Sequence, residues 1–375
     1  MAKQHKKVMN SSINERLLSP DNRAKFQEAK SKELQSFFEN QVWEFDTVEN
    51  AQPERTLTAR VLTKWSKNPD GSPRAKARLI VRGYLDVDAL DKGLQTSSPT
   101  TSRTSRNFLM SLTALLGWSA WTADVATAFL QGLPQERKLW VKLPPECLRL
   151  LGAPDTCRML LLKPVYGQLD APRRWYQEAT RRLKDLGLRP HYLDPCCFLV
   201  YEADFNDGAS TTGTLGDSRL CGMVCLHVDD LLGSGCPTSP TWQRIIKELQ
   251  SVFNFREWKD GDVLQYCGCS IEKLPDGDGL KLFQQSYVEK IHPMTIPRSH
   301  GPNVELTSKE ITALRGLCGA LQWPSVQSSP HLQASVSLAA GQVNHAKVSR
   351  VQDLNRTLKF AKQNGDVGFV YKNLG

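Results

Sequence analysis

No apolar run among the 375 residues approaches the roughly 20 that a membrane-spanning helix needs. The opening Met1-Ala2-Lys3-Gln4-His5-Lys6-Lys7 also lacks the apolar segment of a secretory signal. No membrane partner is expected. Ten cysteines are present, yet none stands in a Cys-x-x-Cys pair. Cys196-Cys197, Cys221/Cys225 and Cys267/Cys269 have other spacings, and no His nearby in sequence completes a zinc set. Most of these thiols lie in apolar runs, so reduced core cysteines in a reducing, cytoplasmic compartment are expected.

What is present is an ordinary soluble composition, 40% hydrophobic and 23% charged, at a length that suits two or three subdomains. A net charge of +9 and a pI of about 9.0 favour a polyanionic partner.

Met223-Val224-Cys225-Leu226-His227-Val228-Asp229-Asp230-Leu231-Leu232 runs apolar into two adjacent acids and apolar out again. This predicts two short buried strands joined by a tight turn, with the carboxylates at its tip. Neighbouring side chains on a strand face opposite ways, so adjacent acids serve one site only at a turn. Burying either unpaired is costly, so the tip is wet or holds a cation; a solvated Asp-Asp turn is the plain alternative. A second stretch, Trp121-Thr122-Ala123-Asp124-Val125-Ala126-Thr127-Ala128-Phe129-Leu130-Gln131-Gly132, ends a short apolar segment on Asp124. Three carboxylates from two strands suit two Mg²⁺ ions, which prefer oxygen ligands. Such a pair, about 4 Å apart, activates an attacking hydroxyl and steadies the leaving oxygen in nucleotidyl transfer.

The segments "ADVATAFLQG" and "HVDD", with "KARLIVRGY" before them and "VYGQLDAPRRWY" between them, resemble the reverse transcriptase of copia-type retrotransposon polyproteins, in order from about Thr56 onward. The resemblance implies an α+β right-hand polymerase. Residues 1–54 would form a basic tail and lead-in helix, and 55–100 a fingers hairpin. Residues 101–284 would form a palm with a mixed antiparallel sheet and a primer-grip-like hairpin. A helical thumb, 285–375, would end before any ribonuclease H domain. The implied reaction is RNA-directed DNA polymerisation, with Asp124, Asp229, Asp230 and the Val125 carbonyl holding two Mg²⁺, or Mn²⁺ in their place. Lys76 and Arg78 are both candidates for the triphosphate. Phe129 would lie beneath the sugar, and Tyr166 and Gly167 would complete the nucleotide pocket. His227, Tyr266, Gly268, Arg173 and Arg174 would meet primer and template. The implied partners are an RNA template, a DNA or RNA primer, deoxynucleoside triphosphates, and ribonuclease H and integrase segments of a parent polyprotein in virus-like particles.

The chain departs from the family pattern in three places. Gly167-Gln168-Leu169-Asp170-Ala171-Pro172-Arg173 replaces the usual Gly-Leu-Lys-Gln-(Ala/Ser)-Pro-Arg, so a cation is lost and an acid gained. His227 stands for the usual Tyr, and Ser328-Ser329-Pro330-His331 for Thr-Arg-Pro-Asp. A decayed or domesticated copy that only binds nucleic acid is the rival reading; the intact acids and Phe129 oppose it.

Elsewhere Ser19-Pro20-Asp21 predicts a capped helix start, and Asn68-Pro69-Asp70-Gly71 a hairpin turn. A helix is expected over 102–118 with Leu109, Leu112, Leu115 and Leu116 on its core side. A basic amphipathic helix opens at Pro172. The stretch 202–219 reads as a loop, and 241–253 as a helix. Strands are expected over 264–274 and 280–283, and helices from 285 onward.

Overall fold

A computed structural model describes residues 13–68, 70–89, 93–202, 219–297 and 300–373. The N-terminal tail before 13, Pro69 and most of the loop expected over 202–219 lie outside them. The chain forms two compact units interleaved in sequence: Met1–Pro99 with Ala126–Asp185, and Thr100–Val125 with Leu186–Gly375. No helix of the described residues is long and apolar enough to cross a membrane.

In the first unit, Ser19 caps the helix Pro20–Glu39 by accepting the Asn22 amide, and Pro20 occupies the first turn, where its missing N–H costs nothing. The helix buries Phe26, Leu34 and Phe37. The strands Thr56–Lys67 and Pro73–Val81 pair antiparallel from Ala59↔Val81 to Lys67↔Pro73. Ala77, Leu79 and Val81 alternate inward, as a half-buried strand requires. These two strands end a five-stranded sheet that continues through Trp140–Lys142, Cys157–Leu161 and Trp43–Thr47. Among the described strands of this sheet, only Thr56–Lys67 and Trp140–Lys142 pair parallel.

The second unit is built on a six-stranded antiparallel sheet, in the order Phe255–Asp260, Ser119–Val125, Asp230–Gly235, Leu220–His227, Cys197–Tyr201, Arg189–Pro190. Trp121 stacks on Trp258 at 4.2 Å. Gly233 makes room for it, since a Cβ there would come within 2.2 Å of the indole. The helix Arg103–Leu116 buries Arg106, Leu109, Met110, Thr113 and Ala114. That face follows i, i+3, i+4, i+7, i+8 spacing. Leu115 and Leu116, expected inside, fall off it and are about half exposed.

A second, four-stranded antiparallel sheet joins Val263–Tyr266, Cys269–Lys273, Gly279–Phe283 and Phe369–Lys372. Here the structure corrects two expectations. The run 264–274 is two strands turned at Cys267-Gly268, both with positive φ (47° and 74°), a combination that matches a tight two-residue hairpin. The end of the chain is also not wholly helical, because Phe369–Lys372 adds an edge strand beside Gly279–Phe283. Between them the helices Ser308–Gln327, Gln333–Gly341 and Val348–Gln363 enclose a core containing Leu314, Leu321, Val336 and Leu354. A capping box between Thr307 and Glu310 starts the first of these helices.

Candidate active site

The acid-bearing hairpin of the second unit is the strand pair Leu220–His227 and Asp230–Gly235, closed by Val228 and Asp229. His227 stands opposite Asp230. Val228 takes a φ of 59°, a conformation that a β-branched residue adopts only under strain of about 1–3 kcal/mol. On the other side of the same strand, Asp230 pairs directly with Asp124. Directly paired residues present their side chains on one face of a sheet. The turn is tied to this neighbour as well, because the Val125 amide donates to the Asp229 carbonyl at 2.8 Å. Asp124, Asp229 and Asp230 are thus gathered at one end of adjacent strands, 105 residues of chain notwithstanding (229 minus 124).

Their electrostatics agree with their proximity. Burial, and then the charges of Asp229 and Asp124, push the Asp230 carboxyl up to about 6. A carboxylate so placed gains most from a nearby cation. One cation is already there: the Arg256 guanidinium donates to Asp124 Oδ2 at 3.1 Å. Its strand pairs Phe255 with Val125 and Glu257 with Asp124, so Arg256 is the extra residue of a bulge, and such bulges re-aim side chains. A cleft of about 190 Å³ opens beside the acids, lined by Asp124, Asp230, Glu257, Tyr266, Cys267 and Gly268 among others. Tyr266 is buried there, and Gly268 sits in the adjoining turn. As a donor set, three carboxylates and a backbone carbonyl suit a hard divalent ion.

The other expected residues lie in the first unit. The Arg78 guanidinium lies over the Tyr166 ring at 4.1 Å, and Phe129 meets the same ring edge-on at 5.6 Å. Gly167 follows with φ +91°, where a Cβ would fall 2.2 Å from the Val81 carbonyl oxygen, so only glycine fits. Lys76 shares the strand Pro73–Val81 with Arg78. Below that strand, burial raises the Glu33 carboxyl, while the Leu79 amide and the Arg78 and Lys76 charges oppose the rise.

Arg173 and Arg174 stand at the start of the helix Ala171–Asp185 with different partners. Arg173 donates to the Ser97 carbonyl at 3.1 Å. Arg174 bonds Asp170 at 3.0 Å and the Pro134 carbonyl. Asp170 is therefore buried between Arg174 and Arg137. Sequence reasoning missed Arg256, Cys267 and this Asp170 network. A basic residue two before a Trp on an edge strand, or a lone Cys at a turn, carries no local signal of such contacts.

Two adjacent acids thus stand at a hairpin tip, set against a third on the next strand of an antiparallel sheet. The chain belongs to the reverse transcriptase (RNA-dependent DNA polymerase) family, whose model matches residues 40–295. Members of this family depend on divalent metal. Similar curated proteins are the Retrovirus-related Pol polyproteins from transposons RE2 and RE1 of Arabidopsis thaliana. They are 25% and 27% identical over 93% and 81% of this chain. The polyprotein from transposon TNT 1-94 of Nicotiana tabacum is 27% identical over 73%. The chain spans only 23%, 20% and 19% of these three polyproteins. Among solved structures, a foamy viral protease-reverse transcriptase in complex with double-stranded DNA is 13% identical. That match covers 96% of this chain and 59% of the other, with a TM-score of 0.44.

Proposed function

We propose that this chain is the polymerase segment of a copia-type retrotransposon, extending a primer along an RNA template with deoxynucleoside triphosphates. The observation that carries the reading is the direct pairing of Asp124 with Asp230, with Asp229 tied to the same strand end. Asp124, Asp229, Asp230 and the Val125 carbonyl would hold two Mg²⁺. When bound, those ions supply Lewis-acid activation of the primer 3′-hydroxyl and neutralise charge on the departing pyrophosphate. The chain's own work is placement. Arg256 orients Asp124 through its contact with Oδ2. Lys76 and Arg78 are the cations offered to a triphosphate, and Phe129, braced by Tyr166, is the ring offered to the sugar. His227, Tyr266, Gly268 and Arg173 are the proposed primer and template contacts. Residues 55–100, 101–284 and 285–375 supply fingers, palm and thumb.

Primer extension on an RNA template with Mg²⁺ tests this. Asp229→Asn should lower extension by about a thousandfold, the equivalent of roughly 4 kcal/mol, and leave template-primer affinity within about twofold, since phosphate contacts dominate it. A wild-type chain that binds template-primer without extending it would mark a decayed copy.

A further inference from the structure

We propose that His227, Asp230 and Cys267 form a binding site for a borderline divalent ion of the Zn²⁺ class, sharing Asp230 with the Mg²⁺ ligands. One imidazole nitrogen, one carboxylate oxygen and the Cys267 Sγ lie within 4.8 Å of one another, each half-buried. Sγ stands 3.9 Å from Asp230 Oδ2. Ligand atoms on a tetrahedral zinc, with bonds near 2.3 Å to sulfur and 2.1 Å to oxygen, are roughly 3.6 Å apart. Sγ and Oδ2 therefore already stand close to that separation.

The scaffold is built for it. His227 and Asp230 are the closing pair of one hairpin, and Cys267 is at the tip of another. The cleft beside them reaches Asp230, Cys267 and Gly268, leaving access for the ion and a water as fourth ligand. Hard Mg²⁺ takes neither imidazole nor thiolate readily, whereas Zn²⁺ takes all three donor types. Burial and the Asp230 charge hold the Cys267 sulfur as a thiol. Binding therefore forms a metal–sulfur bond and releases that proton to the buffer. His227 and Cys267 are far apart in sequence, which is why no zinc spacing announces them. Competition between the two ion classes for Asp230 rests on the polymerase reading above; the site itself does not.

The test is Co²⁺ titration of the full chain, read by the thiolate-to-cobalt charge-transfer band in the near ultraviolet. The expected result is one equivalent bound, a band displaced by Zn²⁺, and a band missing from Cys267→Ser and from Cys267→Asn, the second chosen because Asn accepts positive φ. His227→Gln should weaken cobalt binding by about tenfold or more. Asp124→Asn should keep the band while losing Mg²⁺-dependent extension. No band in the native chain, or a band that survives both Cys267 variants, overturns the site. Mg²⁺-dependent extension with no cobalt band removes this site alone. A cobalt band at Cys267 without any extension removes the polymerase reading alone.

Discussion

Phe129 packs half-buried against the first unit's core, with Tyr166 braced against its edge. A ring held that way has little room to yield, so under the proposed function a ribose 2′-hydroxyl pressed against it would be rejected by collision. Phe129→Val should raise ribonucleotide incorporation roughly tenfold relative to deoxynucleotides, the scale on which one small group is discriminated sterically. Partial burial limits the accompanying loss of stability to about 1–3 kcal/mol. Competitive incorporation of the two nucleotide types alongside thermal melting checks both. A stably folded variant with an unchanged ratio would assign Phe129 to the core alone. The hairpin that carries Asp229 and Asp230 was legible because its two strands and its turn are neighbours in the chain. Arg256 and Cys267 reach their carboxylates across 132 and 37 residues, and no local pattern encodes that.

At the level of elements, starts and stops were easier to read than faces. Ser19, Ser102 and Ser239 each cap a helix through their own side chains, which is a local chemistry. Which leucines of Arg103–Leu116 turn inward depends on what the helix packs against, and there the expectation for Leu115 and Leu116 failed. The same helix start is held from afar by Asp194, which accepts the Ser102 and Cys196 amides at 2.8 and 3.0 Å and the Ser105 hydroxyl at 2.6 Å. Burial alone would raise this carboxyl, but the Ser105 hydroxyl and the two amides together hold it below its ordinary value. A depressed carboxylate contributes stability that is complete above the unfolded pKa, about 3.9. That contribution fades as pH falls through the lower folded value. Asp194→Asn should therefore lose about 2–3 kcal/mol at pH 7. It should also lose stability less steeply than wild type below about pH 4. Denaturant melts at the two pH values measure both; parallel pH curves would rule out a charged Asp194 as the tie.

Over the whole molecule, the excess of 48 basic over 39 acidic residues points to a polyanion, but the total does not say which cations are available. Within Ala171–Asp185, most of the arginines expected to form a basic face are already neutralised. Arg174 is held by Asp170, Arg181 by Glu178 and Asp185, and Arg182 by Glu178. Only a cation that keeps its charge releases a counterion when it meets phosphate, and each such contact adds about 0.9 to the slope of log affinity against log salt. Arg173, whose described partner is the Ser97 carbonyl, meets that condition. Arg173→Gln should reduce the salt slope for an RNA–DNA duplex by about 1 and leave melting unchanged. Arg174→Gln should leave the slope nearly as it is. It should instead cost about 2 kcal/mol of stability, because Asp170 would keep Arg137 as its one remaining guanidinium partner in a buried position. Affinity measured across a salt series, with melts of both variants, separates the two arginines. Equal slope changes would mean that the Asp170 pairing yields to phosphate, and the helix would then act as a continuous basic face.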